Sequence, residues 1–148
     1  MFSLKFLIIF LFLLFGFHAA ALINFWYWKF WWLDMIMHFL GGFWLAAVCA
    51  WLIVNYQFPV SQENLRNKKF TSLIIILSFV ALIGLFWEFF EFILDLISPT
   101  KRYVWAMQQG AIDTISDLFF DLIGGVVFWL LFIVKSGKDR ERLVEESK

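Results

Sequence analysis

Four long apolar runs constrain the fold of this chain more than any other feature of its sequence. Crossing the hydrocarbon core of a bilayer as a helix takes about 20 apolar residues, and four runs reach that length: 4–23, 33–56, 70–97 and 112–134. With 63% hydrophobic and 16% charged residues, the chain is more apolar than a soluble domain can bury. It is therefore predicted to be an all-α, integral membrane four-helix bundle. A single transmembrane domain is expected over 1–134, followed by a charged tail over 135–148.

The first apolar run also has the order of a secretory signal. Lys5 precedes the apolar stretch, and small residues follow at 19–21, so cleavage after this run is an alternative. The segment NFWYWKFWW at 24–32 comes directly afterwards and is typical of an aromatic belt at a membrane interface. We therefore expect the first helix to be retained.

Basic residues indicate the orientation of the four spans in the membrane. If all four runs cross, the N-terminus, the 57–69 loop and the tail share one side. That side carries Lys5, Arg66, Lys68, Lys69, Lys135, Lys138, Arg140, Arg142 and Lys148, whereas the other has Lys29, Lys101 and Arg102. The positive-inside rule then predicts cytoplasmic N- and C-termini in a bacterial-type inner (plasma) membrane. The formal net charge is zero, so the chain as a whole has no basic field to attract nucleic acid.

Ionisable side chains occur in the parts of three spans that this orientation places near the outer surface. The second span contains DMIMHFLGG at 34–42, the third contains WEFFEFILD at 87–95, and the fourth contains DLFFDLIGG at 117–125. Steps of three and four residues place side chains on one face of a helix. A shared pocket that opens outward is predicted from Asp34, His38, Glu88, Glu91, Asp95, Asp113, Asp117 and Asp121.

A group of acids inside a membrane needs compensation. Each costs free energy to bury, and neighbouring carboxylates cannot all ionise without a cation. Protonation and pairing with a base are two solutions. The third is a divalent ion, and carboxylates with one imidazole suit Mg²⁺, Mn²⁺, Fe²⁺ or Zn²⁺. The candidate ligands are Asp34, His38, Glu88, Glu91, Asp113, Asp117 and Asp121, with Glu88 as the candidate catalytic base.

Simpler roles are open for several of these positions. Asp34 and Asp113 are equally compatible with helix capping, and Asp95 is equally compatible with a solvated interface. The glycine pairs Gly41–Gly42 and Gly124–Gly125 are predicted to let helices approach closely beneath the polar site. His18 in the first span is assigned no role.

These motifs resemble those of a known group of membrane proteins. Asp34 and His38 followed by Phe39, then WEFFE, then QGAIDTISDLFFDLIGG resemble the YjdF-like inner-membrane proteins, a family of unknown function. A more distant similarity is to VanZ-like proteins, although Met35 stands where those often have lysine and Asp121 where they have asparagine. The first resemblance implies that the family's characteristic polar residues stand at Asp34, His38, Glu88, Glu91, Asp113 and Asp117, with glycines at Gly110 and Gly124.

Three classes of function are compatible with the sequence. The first is a metal-assisted hydrolase or transferase that acts on a lipid or envelope precursor, with Glu88 as base. The second is a proton or cation transporter, although the predicted cytoplasmic halves of the spans have few ionisable groups to continue a path. The third is a structural or accessory membrane subunit. Membrane lipids are expected partners, and the sequence indicates no oligomeric state.

Overall fold

The computed structural model describes residues 3–56, 69–97 and 110–146, with side chains as far as residue 134. The described residues form five helices: α1 (Leu4–Ile23), α2 (Trp26–Lys29), α3 (Leu33–Asn55), α4 (Lys69–Ile97) and α5 (Ala111–Glu146). Four of them, α1, α3, α4 and the first part of α5, are long enough and apolar enough to cross a membrane. The prediction of an all-α membrane bundle with four spans is therefore confirmed.

Local chemistry explains where α1 begins and ends. The Ser3 hydroxyl caps the helix by accepting a hydrogen bond from the Phe6 amide at 3.2 Å, as N-cap serines do. At the other end the Asn24 side chain donates to the Ala20 carbonyl at 2.7 Å. Phe25 then adopts a left-handed backbone with φ of 57°, and this turn leads through α2 into α3.

Contacts between helices establish their relative directions. The Trp44 indole of α3 donates to the Leu7 carbonyl of α1 at 2.9 Å, so the end of α1 near Leu7 lies beside the middle of α3. The Trp129 indole of α5 donates to the Ser72 hydroxyl near the start of α4 at 2.9 Å. His38 near the start of α3 is 3.5 Å from Asp121 in the first half of α5, and α1 is joined to α3 by a short turn. Helices α1 and α4 consequently run one way, and α3 and α5 run the other.

The apolar core lies between α3, α4 and α5, with one contribution from α1. Its buried members are Leu7, Ala46, Ala47, Cys49, Ala50, Ile53, Ile76, Val80 and Phe128. Small residues on α3 allow close helix packing, which membrane proteins need because lipid gives little hydrophobic drive for helices to associate. Large apolar side chains such as Phe12, Leu13 and Phe86 are exposed, as expected for a surface that faces lipid. We call this core the apolar half of the bundle.

Helix α5 extends beyond the predicted membrane span. It continues from the apolar stretch without a break to Glu146, so the charged segment after residue 134 prolongs the last helix. The division into a domain over 1–134 and a tail over 135–148 stays a prediction. Residues 57–68 of the predicted 57–69 loop, and the basic residues Lys101 and Arg102, lie outside the described residues.

Candidate functional site

Glycines bring α3 and α5 into backbone contact at the site. A Cβ atom on Gly42 would overlap the backbone of Asp121, and one on Gly124 would overlap the carbonyl of Phe39. Gly41 faces the Asp121 side chain, and Gly125 faces Leu77 and Val80 of α4. All four predicted packing glycines thus lie at helix contacts, and the two matching DxxxxxxGG stretches lie against each other.

His38 of α3 lies at the centre of a group of acids. Its Nδ1 is 3.5 Å from Asp121 Oδ2. Its Nε2 is 3.8 Å from Asp34 Oδ1 and 3.9 Å from Asp117 Oδ1. The imidazole is therefore shared between one acid of its own helix and two acids of α5.

Helix α4 adds two buried glutamates to the same place. Glu88 is 2% exposed and Glu91 is 4% exposed, because their three-residue spacing turns both toward the bundle interior. The Trp87 indole donates a hydrogen bond to Glu91 Oε1 at 2.8 Å and holds that carboxylate in place. We call the set Asp34, His38, Glu88, Glu91, Asp117 and Asp121 the His38 cluster.

Two groups within the His38 cluster have the spacing of metal ligands. Asp34, His38 and Asp117 form one, and His38, Glu88 and Glu91 form the other; within each group one ligand atom per residue lies within 4.8 Å of the others. Two ligands bound at about 2.1 Å to one ion can be at most about 4.2 Å apart. The distances from His38 Nε2 to Asp34 and Asp117, 3.8 and 3.9 Å, already satisfy that limit.

The remaining predicted acids, Asp95 and Asp113, are not members of the His38 cluster. Asp113 is partly buried in the first turn of α5, and Asp95 is partly buried near the end of α4. Neither belongs to the two groups with ligand spacing. Asp34 lies in the first turn of α3, whose N-cap residue is Trp32, and its carboxylate is 3.8 Å from the His38 imidazole.

A cavity of about 240 Å³ adjoins the His38 cluster. Its lining comes from α1, α3, α4 and α5, and includes Asp34, His38, Glu91 and Asp121 on the polar side. The α1 side chains in the wall are Leu11, Leu14, Phe15 and His18. The first span therefore closes one side of the site, a position that its plain apolar sequence does not reveal.

Sequence reasoning missed the polar contacts made by α1 and α2. His18 Nδ1 and the Tyr27 hydroxyl share a hydrogen bond of 2.8 Å, and the His18 ring meets the edge of Trp87 at a centroid distance of 5.9 Å. Burial, followed by the charges of Asp34 and Glu91, raises the pKa of Tyr27, so its hydroxyl stays protonated and able to donate. Nine residues separate His18 from Tyr27, and a helix end and a turn intervene, so no regular spacing signals this pair.

The fold and the site together define a multi-pass α-helical membrane protein with a buried cluster of acids around one histidine. The family model described as "Predicted membrane protein (DUF2238)" matches residues 2–138. The chain belongs to that family. No curated protein and no solved structure matches it.

Proposed function

We propose that this chain is a metal-dependent membrane protein whose His38 cluster binds one divalent ion and supports hydrolysis or group transfer on a lipid or envelope precursor. The observation that carries the proposal is the spacing of Asp34, His38 and Asp117, each of which offers one ligand atom within 4.8 Å of the others. These residues come from two helices that run the same way and meet at glycines. Glu88 and Glu91 of α4 form the second group of candidate ligands with His38.

The orientation of the protein is part of this proposal. Lys5 and the basic residues after 134 favour a cytoplasmic location for both termini of a bacterial-type inner-membrane protein. The end of the bundle that holds the His38 cluster then lies toward the outer surface. We also propose that the chain is related to the YjdF-like inner-membrane proteins and, more distantly, to VanZ-like proteins.

The donor set supports a divalent cation of the hard or borderline class. Carboxylate oxygens with one imidazole nitrogen suit Mg²⁺, Mn²⁺, Fe²⁺ or Zn²⁺. A cation also offsets the mutual repulsion of five carboxylates in an environment of low dielectric. The imidazole of His38 offsets part of that repulsion when it is protonated.

Glu88 is the proposed base. A bound divalent ion would polarise the oxygen of the scissile ester or phosphoryl group. The Glu88 carboxylate would take one proton from the attacking water as its oxygen bonds to the electrophilic centre. The bond to the leaving oxygen then breaks, and that oxygen receives the proton from Glu88, so the carboxylate is regenerated.

Metal analysis of purified protein tests the proposal. We expect wild-type protein and Asp95→Asn, a control outside the two ligand groups, to retain a divalent ion. We expect His38→Ala and Asp117→Asn to bind the same ion at least about tenfold more weakly, because even partners outside the ligand shell cost about 10–100-fold in affinity. Circular dichroism checks that the helices persist. Equal metal content in all four proteins contradicts a metal site at the His38 cluster.

One observation favours a structural role as the second candidate. The His38 cluster joins α3, α4 and α5, so a bound ion would tie three spans together without any chemistry. The two candidates differ in what metal removal does. A structural tie predicts that a chelator lowers the thermal unfolding midpoint strongly, whereas a site for catalysis predicts a small change. A transporter, the third interpretation, predicts ion flux in proteoliposomes.

A further inference from the structure

The cavity beside the His38 cluster is polar at one end and apolar at the other. Helices α1 and α4 run opposite to α3, so the lining residues fall into two ends. His18, Asp34 and Glu91 lie at one end, and Leu11, Leu45 and Ile83 lie at the other. Seven residues separate His18 from Leu11, so the change from polar to apolar takes about 10 Å at 1.5 Å per residue.

The polar end has a negative character. Asp34 and Glu91 line it, together with His18 and His38. Asp121 lines the middle of the cavity, where its carboxylate faces Gly41 and Gly84. Among the described lining residues none is Lys or Arg. One divalent ion would offset two negative charges, fewer than the carboxylates of the His38 cluster can carry. A headgroup with a net negative charge therefore meets repulsion at this end, whereas a zwitterionic headgroup can direct its ammonium group to carboxylate acceptors.

An aromatic side chain in the wall suits the same kind of group. Trp87 lines the cavity and donates its N–H to Glu91 at the polar end. An ammonium group near an indole face gains a cation–π attraction. The polar end thus combines carboxylates with an aromatic ring, the two features that bind ammonium groups.

The apolar end suits a hydrocarbon chain. Leu11, Leu14, Leu45 and Ile83 form its walls. A volume of about 240 Å³ lies below the range of about 300–1,000 Å³ found for pockets that hold drug-sized molecules. The space therefore fits a segment of one chain and part of a headgroup, not a whole lipid with two chains.

We infer that the cavity binds a membrane lipid with an ammonium-bearing headgroup, with the ammonium at Asp34 and Glu91 and one chain between α1 and α4. This inference rests on the proposed function, because it places the substrate of that function beside the His38 cluster. It names the class of substrate: a lipid with a phosphoethanolamine or comparable ammonium headgroup.

Binding of two short-chain lipids that differ in headgroup tests the inference. Purified protein in dodecyl maltoside is titrated calorimetrically with dihexanoyl phosphatidylethanolamine and with dihexanoyl phosphatidylglycerol, once with a chelator and once with added Mn²⁺. We expect at least about tenfold tighter binding of the ethanolamine lipid, which corresponds to about 1.4 kcal/mol. Equal affinities, or a preference for the glycerol lipid, overturn the inference.

Two neighbouring leucines of α1 provide a matched pair of variants. Leu14 lines the cavity, whereas Leu13 is 67% exposed on the lipid-facing side. Leu14→Trp fills the apolar end and is expected to weaken binding of the ethanolamine lipid at least about tenfold, and Leu13→Trp is expected to bind like wild type. Equal binding by the two variants overturns the cavity as the site. If Leu14→Trp does not fold, the headgroup comparison on the wild-type protein still decides.

The design separates this inference from the metal proposal. Metal content is measured on the same samples, so a protein that binds no ion but prefers the ethanolamine lipid contradicts the metal proposal and supports the lipid site. A protein that binds an ion but shows no headgroup preference does the reverse. Asp34→Asn sharpens the result, because it is expected to reduce the headgroup preference.

Discussion

The two ends of this bundle are buried to a similar degree but are built from opposite chemistry. At the apolar half, Ala46, Val80 and Phe128 are at most 3% exposed. At the end that holds the His38 cluster, Asp117 and Glu88 are each 2% exposed. Packing in the apolar half favours folding, whereas burial of acids opposes it. The apolar half therefore offsets the free-energy cost of the buried acids in the His38 cluster.

Hydrogen bonding separates the two ends further. In the apolar half, Trp129 donates to Ser72, whose hydroxyl in turn donates to the Lys69 carbonyl at 2.8 Å, so the polar atoms form a closed chain. In the His38 cluster the acceptors are many, because an ionised carboxylate offers about four acceptor sites and no donor. Polar side chains of the apolar half are thus bonded within the protein, whereas in our proposal the carboxylates of the His38 cluster bind a positive group.

The largest effect on stability is expected at the backbone contact between α3 and α5 beside the His38 cluster. Gly124→Ala places a Cβ against the Phe39 carbonyl, and a backbone atom cannot move aside as a side chain can. We expect it to lower the free energy of unfolding by about 3 kcal/mol, the upper part of the usual cost of overpacking. Thermal unfolding in detergent measures the loss.

Gly16→Ala is the control for that variant. Nothing lies within 4 Å of a Cβ at Gly16, and alanine favours a helix over glycine by up to about 1 kcal/mol. Stability is therefore expected to be unchanged or slightly higher. If Gly124→Ala behaves like Gly16→Ala, close packing of α3 on α5 does not hold the site together.

A second variant tests whether the apolar half carries the stability without affecting the site. Phe128→Ala removes a ring that is 3% exposed. We expect a loss of about 2 kcal/mol, less than the roughly 3–5 kcal/mol seen in water, because lipid solvates an exposed ring and only the packing is lost. Metal content should stay at the wild-type level, and a fall would contradict the independence of the two ends.

Phe119→Ala is the matched control for Phe128→Ala. Phe119 is on the same helix but 58% exposed. Its replacement is expected to change the free energy of unfolding by no more than about 0.5 kcal/mol, as is usual for exposed positions. A cost equal to that of Phe128→Ala would show that α5 packs against something on its outer face.

The smallest expected difference comes from two tryptophans that donate one hydrogen bond each. Trp129→Phe removes the bond to Ser72 and should cost about 1 kcal/mol of stability with no change in metal affinity. Trp87→Phe removes the bond to Glu91 and should weaken metal binding about tenfold, the lower part of the range for partners outside the ligand shell. Metal titration of both proteins compares them, and equal metal affinities would show that Trp87 does not position the Glu91 carboxylate.

Much of the fold follows from the sequence because membrane spans obey simple rules. The predicted run at 4–23 coincides with α1, and the predicted start of the second span at residue 33 coincides with the first residue of α3. The short helix α2 and the left-handed Phe25 within the aromatic segment were not predicted. Turn geometry of this kind depends on contacts such as the one between Tyr27 and His18, which local composition does not encode.

The candidate site was predicted in part. Helical spacing and span direction predicted that the acids and His38 share one pocket. They did not indicate that the imidazole would lie within 4 Å of Asp34, Asp117 and Asp121 at once, or that Asp113 would lie outside the two ligand groups. Spacing along one helix says which residues share a face. It does not say how that helix is rotated against its neighbours.

The sequence by itself determined that this chain has four membrane spans and that the acids within the spans belong to three of them. Span length and composition are properties of each segment alone. Only the tertiary structure decided that α1 lines a cavity beside the His38 cluster and that the His38 imidazole lies between three acids. Those features depend on the rotation and approach of whole helices, which are determined where Gly42 and Gly124 allow two backbones to touch.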